Sequence, residues 1–184
     1  VHIWDPHTPY RTPAGTGEPF ADEPLPAWYT DEIRQAHWTR PGPHSAQEMI
    51  GFGVEPRGNR FPRQPHEATS MDQVRRMFDG YDTGVRYADE HVGRWLNALA
   101  DAGVLDDTAI MISSDHGETL GELGTYCDHH FADEHTSHLP MIVHWPGAAF
   151  GVVGFALTCH SPSAVAVVAL SAAVTSAVAA IRRK

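Results

Sequence analysis

Ser113-Ser114-Asp115-His116-Gly117-Glu118 is the stretch whose residue types and spacing speak most directly of chemistry. Asp offers a hard oxygen and His a nitrogen, and neighbours at a strand end can both turn toward one cation. Gly117 gives the backbone freedom to swing away after them. A second concentration of titratable groups follows, with Asp128, His129, His130, Asp133, Glu134, His135 and His138 in one short span. Zinc would be expected to use His pairs at helical spacing plus a third ligand, and the order His-Glu-x-x-His is absent. Solvated loop histidines account for that span more simply. At the front, His7 sits in Asp5-Pro6-His7-Thr8-Pro9-Tyr10, where two prolines impose extended and turn geometry.

The elements that must position these groups show in the apolar pattern. Thr108-Ala109-Ile110-Met111-Ile112-Ser113 is a short apolar run that suits a central parallel strand covered on both faces, and it delivers Asp115 and His116 past its carboxyl end. Ligands of open α/β sheets bind at that end. Upstream, Tyr81, Val85, Ala88, Val92, Trp95, Leu96 and Leu99 recur at helical steps, which predicts an amphipathic helix with one buried stripe, closed by Gly103. Ser70 with Gln73 predicts the cap of a shorter helix ending before Gly80. Met141 to Trp145 predicts a further strand, ended by Pro146-Gly147, and Val1 to Trp4 a first one. Residues 11–69 are rich in Pro and Gly, and a short helix near Asp31–His37 is the one element expected there. Helix, buried strand, loop and strand together make an α/β architecture.

The whole chain has 184 residues and a formal net charge of -10, with thirteen histidines. That is one domain's worth of sequence, and its charge excludes a nucleic-acid binder. Cys127 and Cys159 fit no zinc spacing. No signal peptide is visible. Residues 148–184 change character to Ala and Val, and Ala164 to Ile181 carries no charge before Arg182-Arg183-Lys184. That run is marginal for a membrane span, and a helix packed on the domain is the plainer expectation.

Four segments in order resemble the sulfatase branch of the alkaline phosphatase superfamily: Asp5 to Tyr10, the helix with Asp89-Glu90-His91-Val92-Gly93, the strand ending in Asp115-His116-Gly117-Glu118, and His138-Leu139-Pro140 through Trp145-Pro146-Gly147. The resemblance implies a partial catalytic domain over 1–147, of α/β class with a mainly parallel sheet, and a tail over 148–184 that is not sulfatase-like. It implies a sulfuric ester hydrolase acting on a small-molecule sulfate ester. Asp115 and His116 would be two ligands of a divalent cation, calcium in most of the family, with manganese or zinc as alternatives. His7 would contact the leaving-group side of the sulfate. His129 would be an anion contact where many relatives place a lysine. The family's nucleophile motif, Cys or Ser-x-Pro-Ser-Arg, has no match here; Cys159-His160-Ser161-Pro162-Ser163 has one residue too many and lies after the metal pair. The chain taken alone is therefore expected to be inactive. A phosphate or phosphonate ester hydrolase of the same superfamily and a non-catalytic metal-binding remnant are the alternatives.

Overall fold

The computed structural model describes residues 1–51 and 63–146. Helix α1 spans Asp31–Trp38, where the short helix was expected. The Thr30 side chain accepts the Ile33 N–H at its start, and Asp31 and Glu32 complement the helix dipole.

The main scaffold is α2, Met71–Asp101, capped by Ser70 Oγ accepting the Gln73 N–H at 3.3 Å. It closes as a Schellman motif, with Gly103 at φ 70, Gly103 N–H donating to Ala100 O at 2.9 Å and Val104 N–H to Leu99 O at 3.0 Å. The sequence pattern divides this helix at Gly80; the structure does not. Gly80 and Gly84 lie mid-helix because neighbouring backbone comes too close for a side chain. A Cβ on Gly80 would stand 2.7 Å from Arg63 O, and one on Gly84 would stand 2.6 Å from Asp5 O. Glycine's helix cost of about 1 kcal/mol is accepted here for close packing of the two loops.

Strand β1 is Ile110–Ser113, and after β2 (Thr119–Leu120), β3 (Tyr126–Asp128) and α3 (Glu134–Ser137), β4 is Met141–His144. The expected parallel pairing does not occur among the described residues. β1 pairs antiparallel with β4, Ile110 opposite His144 and Ser113 opposite Met141, while β2 pairs antiparallel with β3. β1 is also covered on one face only: Ile110 and Ile112 are half-buried, whereas Met111 is 66% exposed. An all-apolar run thus reads as doubly covered when one of its faces is open. Val1–Trp4 forms no strand, and the chain instead turns through Asp5–Tyr10.

The core gathers Tyr10, Tyr29, Met49, Val74, Met77, Phe78, Leu120 and Tyr126 between the first half of α2, the 10–49 stretch and the β2–β3 hairpin. The second half of α2 behaves differently from its pattern. Of the expected stripe only Leu96 is buried, and Trp95 is 39% exposed. Val92, Leu96 and Leu99 face Ile110 and Ile112 across an apolar trough of about 800 Å³. The 148–184 tail, with Ala164–Ile181 and the Cys159 motif, lies outside the described residues. Among the described residues no helix is long and apolar enough to cross a membrane.

Candidate functional site

Two loops and one turn bring imidazoles together at the end of β1. His7 arrives on the 5–10 turns, which are closed by His7 N–H donating to Trp4 O at 3.1 Å and Tyr10 N–H to His7 O at 3.0 Å. The loop rests on α2 at Gly84, and Trp4 stacks on the His7 ring at 4.7 Å. His116 follows β1. His129 follows β3. One ligand atom from each of His7, His116 and His129 falls within 4.8 Å of the other two. His116 and His129 stack at 4.1 Å, and His7 meets them edge-on at 5.4 and 4.7 Å.

Hydrogen bonds set the tautomers. A carbonyl can only accept, so His116 Nδ1–H donates to Gly117 O at 2.8 Å, and His7 Nδ1–H donates to Thr8 O at 2.6 Å. In their neutral forms both rings therefore keep a lone pair on Nε2. A backbone carbonyl in this role is the usual outer partner of a metal-binding histidine.

Asp115 stands at the rim, 71% exposed, with Oδ1 3.9 Å from His116 Nε2. Its carboxyl is held below the usual range, chiefly by its own backbone N–H. A gap of 3.9 Å suits two donors sharing one cation, each with a bond of about 2.0–2.6 Å. The spacing of Asp115 and His116 is thus compatible with the shared cation that the resemblance implies. The four predicted site residues form a single neighbourhood, with His7, His116 and His129 at its centre and Asp115 at its edge.

Glu118 belongs to this neighbourhood although the sequence reading gave it no role. It is 6% exposed, with Oε1 3.9 Å from His129 Nδ1. Its carboxylate pushes His129 up from the ordinary imidazole range, against burial. Its position just past Asp115-His116-Gly117 was the available signal.

Sequence reasoning also missed a second group: His44, Asp128 and His130. His44 came from a stretch without periodicity, and the histidine-rich span looked like a solvated loop. In the structure that span is ordered by Asp133, whose side chain accepts the His135 and Thr136 N–H groups in a capping box that opens α3. Asp128 is buried, which would raise its carboxyl, yet it falls below the usual range because His130 and His44 face it.

Imidazoles and carboxylates thus gather past the carboxyl end of β1, beside an open trough. The Sulfatase family model matches residues 1–150, and the chain belongs to the sulfatase family. That family carries an α/β fold of the alkaline phosphatase type. The choline-sulfatase of Rhizobium meliloti is 37% identical over 153 residues, covering 83% of this chain and 27% of that protein. The human iduronate 2-sulfatase is 37% identical over 83 residues, 45% of this chain and 15% of the relative. The N-acetylglucosamine-6-O-sulfatase of Bacteroides thetaiotaomicron is 41% identical over 68 residues, 37% of this chain and 12% of the relative. The chain therefore spans about a quarter or less of the length of these relatives. No solved structure matches it.

Proposed function

We propose that this chain supplies part of the active site of a metal-dependent sulfuric ester hydrolase whose substrate is a small-molecule sulfate ester. Asp115 and His116 hold a divalent cation, calcium by family habit, with manganese or zinc as alternatives. When bound, that cation neutralises charge on the ester oxygens. His129 contacts the sulfate, supported by Glu118 beside it. His7 stands on the leaving-group side. Its Nδ1–H is committed to Thr8 O, so Nε2 is the atom that would carry a proton to the departing alkoxide. Trp4 restrains the ring by stacking. The attacking group and the remaining acidic ligands come from sequence outside these residues, as does the mainly parallel sheet of the complete domain. The observation that supports this reading most is the convergence of His7, His116 and His129 within 4.8 Å, in a chain of this family.

An aryl sulfate assay tests it, run with calcium, magnesium or manganese on the chain alone and on the chain joined to a nucleophile-bearing N-terminal segment. The expected result is silence from the chain alone, because two donors leave a hard cation largely hydrated, and metal-dependent phenol release from the extended protein, abolished by Asp115→Ala. Release by the chain alone, abolished by the same substitution, would put the nucleophile within these residues. Silence from the extended protein would favour a non-catalytic remnant. Preference for an aryl phosphate would favour the phosphate ester branch, which three nitrogen donors and a softer metal would suit.

A further inference from the structure

The apolar trough between α2 and β1 has two walls and no cover among the described residues. A helix with an apolar stripe ordinarily buries it, yet on this wall only Leu96 is buried and Trp95 is 39% exposed. β1 has β4 on one edge and, among the described residues, no strand on the other. Contiguous apolar surface of this kind marks a docking place.

The chain carries a segment that matches it. The antiparallel register sets His144 opposite Ile110, so the chain leaves β4 beside the trough wall. In the sequence that follows, Val167, Leu170, Val174, Val178 and Ile181 recur at steps of three and four, mostly with alanine between them. That spacing would line all five along one face of a helix. At 1.5 Å per residue, Val167 to Ile181 would reach ~21 Å, against ~17 Å for the wall from Ala88 to Leu99. Residues 147–166 could extend to about 65 Å, enough to reach either end of the trough. Arg182, Arg183 and Lys184 complement Asp101, Asp106 and Asp107, which lie where the end of α2 also attracts cations. Tethering holds this segment at an effective concentration on the order of millimolar. A second copy of the chain has no such advantage and brings a further charge of -10.

We propose that Ala164–Ile181 docks in this trough as a helix, its aliphatic stripe against Trp95, Leu99 and Ile110. The trough continues to Trp4, His7 and His116, so the docked segment forms an apolar wall beside the candidate site. This assignment is independent of sulfatase turnover.

The test is hydroxyl-radical footprinting of the full chain, read residue by residue by mass spectrometry. Trp145, exposed and outside the trough, is the reference, and the fully buried Met49 and Met77 report whether the core has opened. In Leu170→Asp/Val174→Asp, oxidation of Trp95 should rise severalfold over the unaltered chain while Trp145 stays constant. In Leu99→Asp, changed from the other side, oxidation of Leu170 and Val174 should rise severalfold. Both effects should be independent of protein concentration. Equal Trp95 rates with and without the tail substitutions would overturn the proposal and leave the trough to polypeptide outside this chain. Protection of Trp95 that fades on dilution would overturn it in favour of a second copy. Flotation with phosphatidylcholine vesicles, lost in the tail variant while Trp95 rates stay the same, would overturn it in favour of a membrane.

Discussion

Gly117 meets His135 backbone to backbone: Gly117 N–H donates to Thr136 O at 2.9 Å, and a Cβ on Gly117 would stand 1.9 Å from His135 O. The residue next to Asp115 and His116 is thereby pinned to α3. Gly117→Ala should cost about 2 kcal/mol or more, because the obstacle is backbone and cannot rotate away. Urea unfolding should show a lower midpoint at unchanged slope. An unshifted midpoint would mean that α3 moves aside easily.

The glycines of α2 should respond in opposite directions to one substitution. Around Gly93 a Cβ meets nothing within 4 Å, so Gly93→Ala should stabilise the chain by up to about 1 kcal/mol. At Gly84 the added carbon would meet Asp5 O at 2.6 Å and Pro6 Cα at 2.8 Å. Gly84→Ala should therefore lower the melting temperature and displace the loop that carries His7. Equal shifts in the two variants would contradict this packing.

Burial pushes Asp82 up to about 7, and Asp79 and Glu23 add to the rise. The folded chain thus holds a proton that the unfolded chain releases near pH ~3.9. Stability should fall as pH rises from about 4 to about 7, by up to ~1.4 kcal/mol per unit, and be flat above. Asp82→Asn removes the charge and keeps the shape. It should raise the melting temperature at pH 8 and leave it unchanged at pH 4. A loss of stability at pH 8 would show that the charged form has a partner.

If His7 protonates the leaving group, its removal should matter most where protonation is needed. In the nucleophile-bearing protein, His7→Gln should reduce kcat/KM for an alkyl sulfate by ~100-fold or more, and far less for 4-nitrophenyl sulfate, whose phenolate departs unaided. Equal losses on both substrates would reduce His7 to a binding contact.

Local signals in the sequence carried the helices and strand ends well. The Ser70 cap, the Gly103 stop and the short helix near Asp31 all rest on side chains within a few residues of the bond they make. So does the arrival of Asp115 and His116 just past β1. Whatever depends on distant backbone was illegible. Gly80 looked like a terminator because the approach of Arg63 leaves no trace in the local pattern. The antiparallel pairing of β1 with β4 was not legible, because an apolar run does not reveal the direction of the strand beside it. His44 could not be linked to Asp128, since its left-handed backbone and its hydrogen bonds with Tyr126 are tertiary facts. Grouping His7 with His116 and His129 was within reach only through family resemblance.

Consecutive histidines at 129 and 130 feed two different clusters, so the turn after β3 is sensitive to chain length as well as to residue type. Losing or gaining one residue between Leu120 and Asp128 would shift the histidines by one place, handing each cluster the other's imidazole or none. Substitution alters one group at a time; a single-codon insertion or deletion here would alter both. Tolerance of length variation should therefore be lowest in the stretch 121–128, which ends in the buried Tyr126, Cys127 and Asp128.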